Sequence, residues 1–225
     1  LVARIRQGLM LSTASMVPLG AMFVALGTPI VALVYERGAF DAQAASLVSG
    51  LLMAYGVGMP AYLARDLLVR VFYALGDGTT PFRLSTAGIG LNVLFDWLLV
   101  GGPTPWGSQL PFNFGATGLV LATVAINLLT CAALLVGLQS RLGGLPLQRW
   151  AFDGVKVLWA GLAAGFAAWV LATLVEWPQD LLGLLIEVCL SVVSGLAVFA
   201  LISISLGVAE VRELARELRY RVIPR

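Results

Sequence analysis

The stretch GATGLVLATVAINLLTCAALLVGLQS, residues 115–140, contains no charged residue. Roughly 20 apolar residues suffice to cross the hydrocarbon core of a bilayer, so this run reads as a membrane-spanning helix. Cutting the remaining sequence at charges and turn residues gives similar runs at 8–35, 42–64, 84–95 (continuing past Asp96 to 100), 157–175 and 181–207, the last with a single acid, Glu187. With their polar helix ends added, six spans are expected at about 8–35, 44–74, 81–100, 115–140, 152–175 and 181–207, followed by an amphipathic tail over 208–225. The fold class is therefore an all-α polytopic membrane bundle.

Composition agrees. The chain is 60% hydrophobic and 12% charged, against roughly 45–50% and about 25% in a soluble domain. Soluble enzyme classes are excluded. With no histidine, imidazole-dependent triads and His-containing zinc sites lose an essential member. The only cysteines, Cys131 and Cys189, stand alone in apolar stretches and read as small core residues rather than a redox pair or a metal knuckle. A net charge of +2 gives no nucleic-acid surface, so no nucleic-acid partner is expected. The opening residues lack a methionine and run into an apolar stretch too long for a signal peptide's core. The expectation is a chain that begins mid-protein.

Six crossings put both termini on one side. Thirteen of the fourteen basic residues then fall on that side, and only Arg37 on the other. The positive-inside rule makes the shared side cytoplasmic and puts the turns at Arg37, Trp106 and Trp177 outside. In the tail, Val211, Leu214, Leu218 and Val222 fall on one face of a helix between arginines, as in a helix lying along cytoplasmic headgroups. Thr80 before Pro81 reads as an N-cap with proline at the first helical position.

Three groups of residues are candidates for function. Asp96 is a carboxylate inside a span, which costs roughly 2.5–3.5 kcal/mol on insertion scales and usually marks a function or a partner. Asn92 lies one turn earlier on the same face, and the Thr123 hydroxyl and the Leu119 carbonyl sit one turn apart in the next helix. These are hard oxygen ligands suited to a small cation, and the alternative is a neutral packing cluster. Arg65 and Arg70 at the inner end of the second span suit phosphate recognition, and the alternative is arginines snorkelling to the interface beside Asp66. Gly56, Gly58 and Pro60 in YGVGMP, residues 55–60, weaken the second span and predict a hinge, as Pro18 and Pro29 do in the first. Gly161 and Gly165 form a GxxxG pair that admits a close helix. Glu187 either lines a groove or faces the outer headgroups.

Three motifs taken together, YERGAF (35–40), YGVGMP (55–60) and RVFYALGDGTTP (70–81), resemble the MurJ/MviN family of lipid II flippases in the multidrug/oligosaccharidyl-lipid/polysaccharide exporter superfamily. The resemblance covers essentially the whole chain and corresponds to the last six of the family's fourteen helices. It implies transport of undecaprenyl-pyrophosphate-linked peptidoglycan precursor (lipid II) across the bacterial inner membrane by alternating access, serving cell-wall biogenesis and cell shape, with no covalent catalysis. Asn92, Asp96, Leu119 and Thr123 match positions of a family sodium site, making sodium the only cofactor implied. An aspartate on the family's seventh helix, which would complete that site, is not in this sequence. The implied partners are lipid II, membrane lipids and an N-terminal lobe, and the last two spans are expected to form a groove for the lipid tail. The rival readings are a flippase or exporter for another polyprenyl-linked saccharide or a drug, and a noncatalytic membrane scaffold in cell-wall synthesis.

Overall fold

The computed structural model describes residues 1–35, 41–101, 112–178, 180–208 and 210–212. Among them the chain is helical and contains no strand: α1 Val2–Ala25, α2 Gly27–Tyr35, α3 Ala42–Ala74, α4 Thr79–Val100, α5 Ala116–Arg141, α6 Leu147–Leu174 and α7 Leu181–Ser205. All but the short α2 are long and apolar enough to cross a membrane. Arg37, Trp106, most of the YERGAF motif and the tail beyond Arg212 lie outside the described residues.

The first expected span is two helices. α1 ends at Ala25, and α2 begins at Gly27. Pro29 accounts for the break, because its ring would clash with the carbonyl four residues back, that of Ala25, and it offers no N–H. Leu26 bridges the junction, donating its N–H to Met22 O and accepting from Ile30 N. Pro18, by contrast, sits inside uninterrupted helix.

An aspartate caps two helices and immediately precedes the cap residue of a third. Asp41 accepts from Ala44 N at 2.8 Å, and Asp180 accepts from Gly183 N at 2.9 Å. Asp77 accepts from both Thr79 N and Thr80 N, at 3.1 and 3.0 Å. The N-cap position of α4 is Gly78 rather than Thr80, with Asp77 just before it supplying the accepting carboxylate, and Pro81 lies in the first turn instead of at its first position. A carboxylate reaching two free N–H groups, at the positive end of the helix dipole, outcompetes a hydroxyl there. Asp77 also pairs with Arg141 Nη2 at 2.6 Å, and the Arg141 guanidinium lies 5.9 Å above the fully buried ring of Phe72. One turn thus fastens the ends of α3, α4 and α5 together.

Hydrogen bonds from Thr80, through its hydroxyl and its N–H, together with the charge of Arg141, hold the Asp77 carboxyl below the usual carboxylate range. A depressed folded-state value stabilises the protein above the unfolded value of about 3.9, and the contribution disappears as pH falls through the folded value. The expected result is that Asp77→Asn lowers the unfolding temperature at neutral pH and flattens its decline below about pH 4. An unchanged acid limb in detergent-solubilised protein would contradict this.

The helices pack in the spatial order α4, α5, α3, α1, α6, α7. α1 is central because it serves two cores. One joins Val17, Met22 and Leu26 to Val157 and Ala164 of α6 and Phe199 of α7; the other joins Ile5, Leu9 and Met10 to Leu68 and Phe72 of α3 and Leu134 of α5. Where apolar area gives little drive, as in lipid, small residues let backbones approach. Gly20 meets Gly56 at the α1–α3 crossing, and Gly58 meets Val124 of α5. The pair Gly161 and Gly165 faces Val17 and Ala21 of α1.

Candidate functional site

A cavity of about 280 Å³ opens between α3, α4 and α5, lined in part by Arg65, Ser85, Asn92, Thr123, Asn127 and Thr130. Gly88 of α4 is part of its wall, packed close enough to α5 that a Cβ there would meet Ile126 Cγ2 at 3.3 Å and Thr130 Oγ1 at 3.6 Å. The polar groups arrive by helical periodicity. Ser85 and Asn92 are two turns apart on α4, and Thr123, Asn127 and Thr130 follow one another turn by turn on α5.

The four proposed cation ligands form two bonded pairs. Asn92 Nδ2 donates to Asp96 Oδ2 at 2.8 Å, and Thr123 Oγ1 donates to Leu119 O at 3.0 Å. Asn92 and Thr123 share the cavity wall, whereas Asp96 and Leu119 connect to it through these bonds. Each pair leaves acceptor lone pairs uncommitted, on Asn92 Oδ1 and Thr123 Oγ1. Asp96 Oδ1 is buried and has no hydrogen-bond partner among the described residues. A buried carboxylate oxygen without a donor is costly unless a positive group meets it, and the donor set is all oxygen, as sodium requires. The residues present therefore fit a small hard cation. No group of three acidic, His or Cys side chains able to hold a metal ion occurs among the described residues.

Arg65 and Arg70 are not brought together. Arg65 is half-buried on the cavity wall and donates from Nη2 to Ser85 Oγ at 3.2 Å, while Arg70, five residues on, is exposed outside the cavity. Gly56, Gly58 and Pro60 lie within helix that continues from Ala42 to Ala74. The two glycines act there as contact points for α1 and α5.

Two further cavities flank the bundle. An apolar groove of about 520 Å³ runs between α1, α3 and α6, with Gly20, Gly56 and Gly161 on its floor and Phe166 and Trp169 on its rim. This groove is separate from the one expected between the last two spans, α6 and α7. The α6–α7 contact is closed where Gly195 presses on Met22 and the Ala164 carbonyl. At the other end, Glu176, Trp177 and Glu187 line a cavity of about 920 Å³ between α2, α6 and α7. Of the two readings of Glu187, the structure favours the cavity wall.

Sequence reading missed Ser85, Asn127 and Thr130, although the spacing that identified Asn92 and Thr123 extends to them. It also missed a charge network at the ends of the bundle, in which Arg6 reaches Asp153 Oδ2 at 2.7 Å and Glu210 Oε1 at 3.1 Å, and Lys156 reaches Asp153 Oδ1 at 3.2 Å.

Comparison with known proteins gives a consistent result. The family profile described as lipid II flippase MurJ matches residues 1–186. The probable lipid II flippase MurJ of Synechocystis sp. is 48% identical over 166 residues, covering 74% of this chain and 29% of that protein. The lipid II flippase MurJ of Thermosipho africanus is 28% identical over 115 residues, covering 51% of this chain and 22% of that protein. The chain thus spans less than a third of the length of these relatives. A solved structure of lipid II flippase MurJ in an inward closed conformation superimposes with a TM-score of 0.64 at 20% identity, covering 91% of this chain and 43% of that one, which shows the shared fold. With residues 1–186 of 225 inside the family profile and six helices able to span a bilayer, the chain belongs to the lipid II flippase MurJ family, as a multi-pass protein of the bacterial inner membrane.

Proposed function

We propose that this chain forms the C-terminal lobe of a lipid II flippase, working with an N-terminal lobe to carry undecaprenyl-pyrophosphate-linked peptidoglycan precursor across the membrane by alternating access. The observation that carries the reading is the α4–α5 oxygen cluster with its orphaned Asp96 Oδ1. Asn92, Asp96, Thr123 and the Leu119 carbonyl would hold a sodium ion, which supplies the positive charge that a carboxylate inside a span needs. An acid from the N-terminal lobe would complete the site and tie the two lobes together when sodium is present.

The other parts follow from where each residue sits. Arg65 on the cavity wall and Arg70 at the exposed inner end of α3 are separate phosphate contacts along the path of the headgroup. The apolar groove between α1, α3 and α6 takes the prenyl tail. Gly56, Gly58 and Pro60 let α3 change its tilt against α1 and α5, since glycine contacts slide without side-chain interlock and Pro60 removes one hydrogen bond from the helix. Both chain ends lie on the cytoplasmic side in this scheme, a placement that the distribution of basic residues supports. Nothing in this scheme involves covalent chemistry.

The test is Asp96→Asn in the native polypeptide, reconstituted in proteoliposomes and assayed for lipid II translocation with and without sodium. The variant keeps the volume and the Asn92 bond but loses the charge. Translocation should fall about 10- to 100-fold and lose its sodium dependence, the loss of one charged contact. Unchanged rate and unchanged sodium response would overturn the cation site. Absence of lipid II translocation by the wild-type protein would overturn the flippase reading.

A further inference from the structure

The inner half of the α3–α4–α5 cavity has donors and charge that the cation cluster does not use. Arg65 has no ion-pair partner among the described residues and makes one hydrogen bond, to Ser85. Thr130 is 6% exposed, makes no hydrogen bond among the described residues, and lines the cavity. Its hydroxyl opens onto the cavity and is free to donate there. Asn127, also 6% exposed, is held in place by its Nδ2 bond to Thr123 O at 2.7 Å. An unpaired guanidinium beside two hydroxyls is a donor set for an oxyanion, and Arg presents its N–H groups in a fork that fits phosphate oxygens.

We infer that Arg65, Ser85 and Thr130 form a seat for a single phosphate-type oxyanion, beside Gly88 of α4. Size supports the class of ligand. At about 280 Å³ the cavity lies just below the 300–1,000 Å³ of ordinary small-molecule sites, which suits a phosphate group. The seat and the cation cluster share one wall. Ser85 and Asn92 are seven residues apart, about 10 Å along α4, so the anion sits at the opposite end of the cavity from Asn92, through which the Asp96 carboxylate connects to it. The oxyanion chemistry stands on the cavity alone, and only the choice of a lipid-linked source rests on the flippase reading.

The experiment uses the native polypeptide in phosphatidylcholine nanodiscs. Inorganic pyrophosphate binding is followed by titration calorimetry, and a second set of discs doped with phosphatidic acid is examined by native mass spectrometry for retained anionic lipid. The variants are Arg65→Gln, Thr130→Val and Gly88→Val, the last narrowing the cavity beside Thr130 without removing a donor. Wild-type protein should hold one oxyanion. Arg65→Gln should weaken binding by on the order of tenfold or more, and Thr130→Val and Gly88→Val by several-fold, because a hydrogen bond to a charged ligand is among the stronger ones. Binding of pyrophosphate alone marks a free anion as the source, and retention of phosphatidic acid alone marks a lipid headgroup. The seat is refuted if neither probe binds, or if Arg65→Gln and Thr130→Val bind as wild type does. Thr130→Val replaces a hydroxyl by a methyl of equal size, so it answers the question even where Gly88→Val fails to fold. Translocation is not measured here, so a null result leaves the flippase reading standing, and a failed flippase reading leaves this one standing.

Discussion

Gly20→Val and Gly56→Val should each abolish recovery of folded protein or lower its unfolding temperature more than any other single change in α1 or α3. A Cβ at Gly56 would stand 2.6 Å from Gly20 O and 2.9 Å from Phe23 Cβ, and one at Gly20 would collide with Gly56 O. Neither obstacle is the free end of a flexible side chain, so relief requires α1 and α3 to move apart. That separation would open both cores, because α1 carries residues of each. The cost should reach about 3 kcal/mol, the upper end of the overpacking range. Gly90→Ala is the matched control, since a Cβ there meets nothing within 4 Å and alanine gains about 0.5–1 kcal/mol over glycine in a helix. Thermal unfolding of purified variants in detergent measures all three. If the two valine variants unfold within a degree or two of wild type, the crossing is not the close backbone contact described here.

These contacts show what could be read from the sequence and what could not. The spanning helices are legible because a charge-free run of this length has few other uses, and α4 is legible despite Asp96 because that acid lies within a turn of the helix end. The split between α1 and α2 is hidden, since both Pro18 and Pro29 stand in apolar sequence and only the second interrupts the helix. The sequence points to Thr80 as the cap on α4, and only the geometry shows the Asp77 carboxylate serving two N–H groups there. In the site, Asn92 with Asp96 and Thr123 with Leu119 follow from one-turn spacing and do pair as that spacing requires. Ser85, Asn127 and Thr130 obey the same period, but hydroxyls and amides are common in spans, and nothing local marks which of them face a cavity. That information comes only from how α3, α4 and α5 pack together, with Gly88 set against Ile126 and Thr130.

The charge network at the bundle's end is the least legible feature and supports the second large prediction. Arg6 joins partners 147 and 204 residues away, so no periodicity can reveal it. Its two bonds differ in value. The Arg6 and Asp153 side chains are 35% and 29% exposed, and a pair that accessible contributes at most about 1 kcal/mol. Glu210 is 8% exposed and has Arg6 as its ion-pair partner, and it sits between Val208 and Val211, which belong to the core formed with α1, α6 and α7. Arg6→Ala therefore leaves a buried carboxylate uncompensated, a defect that costs 3–5 kcal/mol in full burial and about 2 kcal/mol at this partly open site. The expected result is a lower unfolding temperature together with release of the segment around Val208, read as faster thiol labelling of a Val208→Cys reporter. Adding Glu210→Gln to Arg6→Ala should restore part of the stability, because a neutral amide tolerates the vacated position better than a charge does. Asp153→Asn alone should cost much less, since Arg6 keeps Glu210. The order of the three variants decides the matter. If Asp153→Asn is as harmful as Arg6→Ala, or if Glu210→Gln deepens the Arg6→Ala defect, the network's strength lies in the exposed α1–α6 pair, and the end of α7 is held by apolar contact alone.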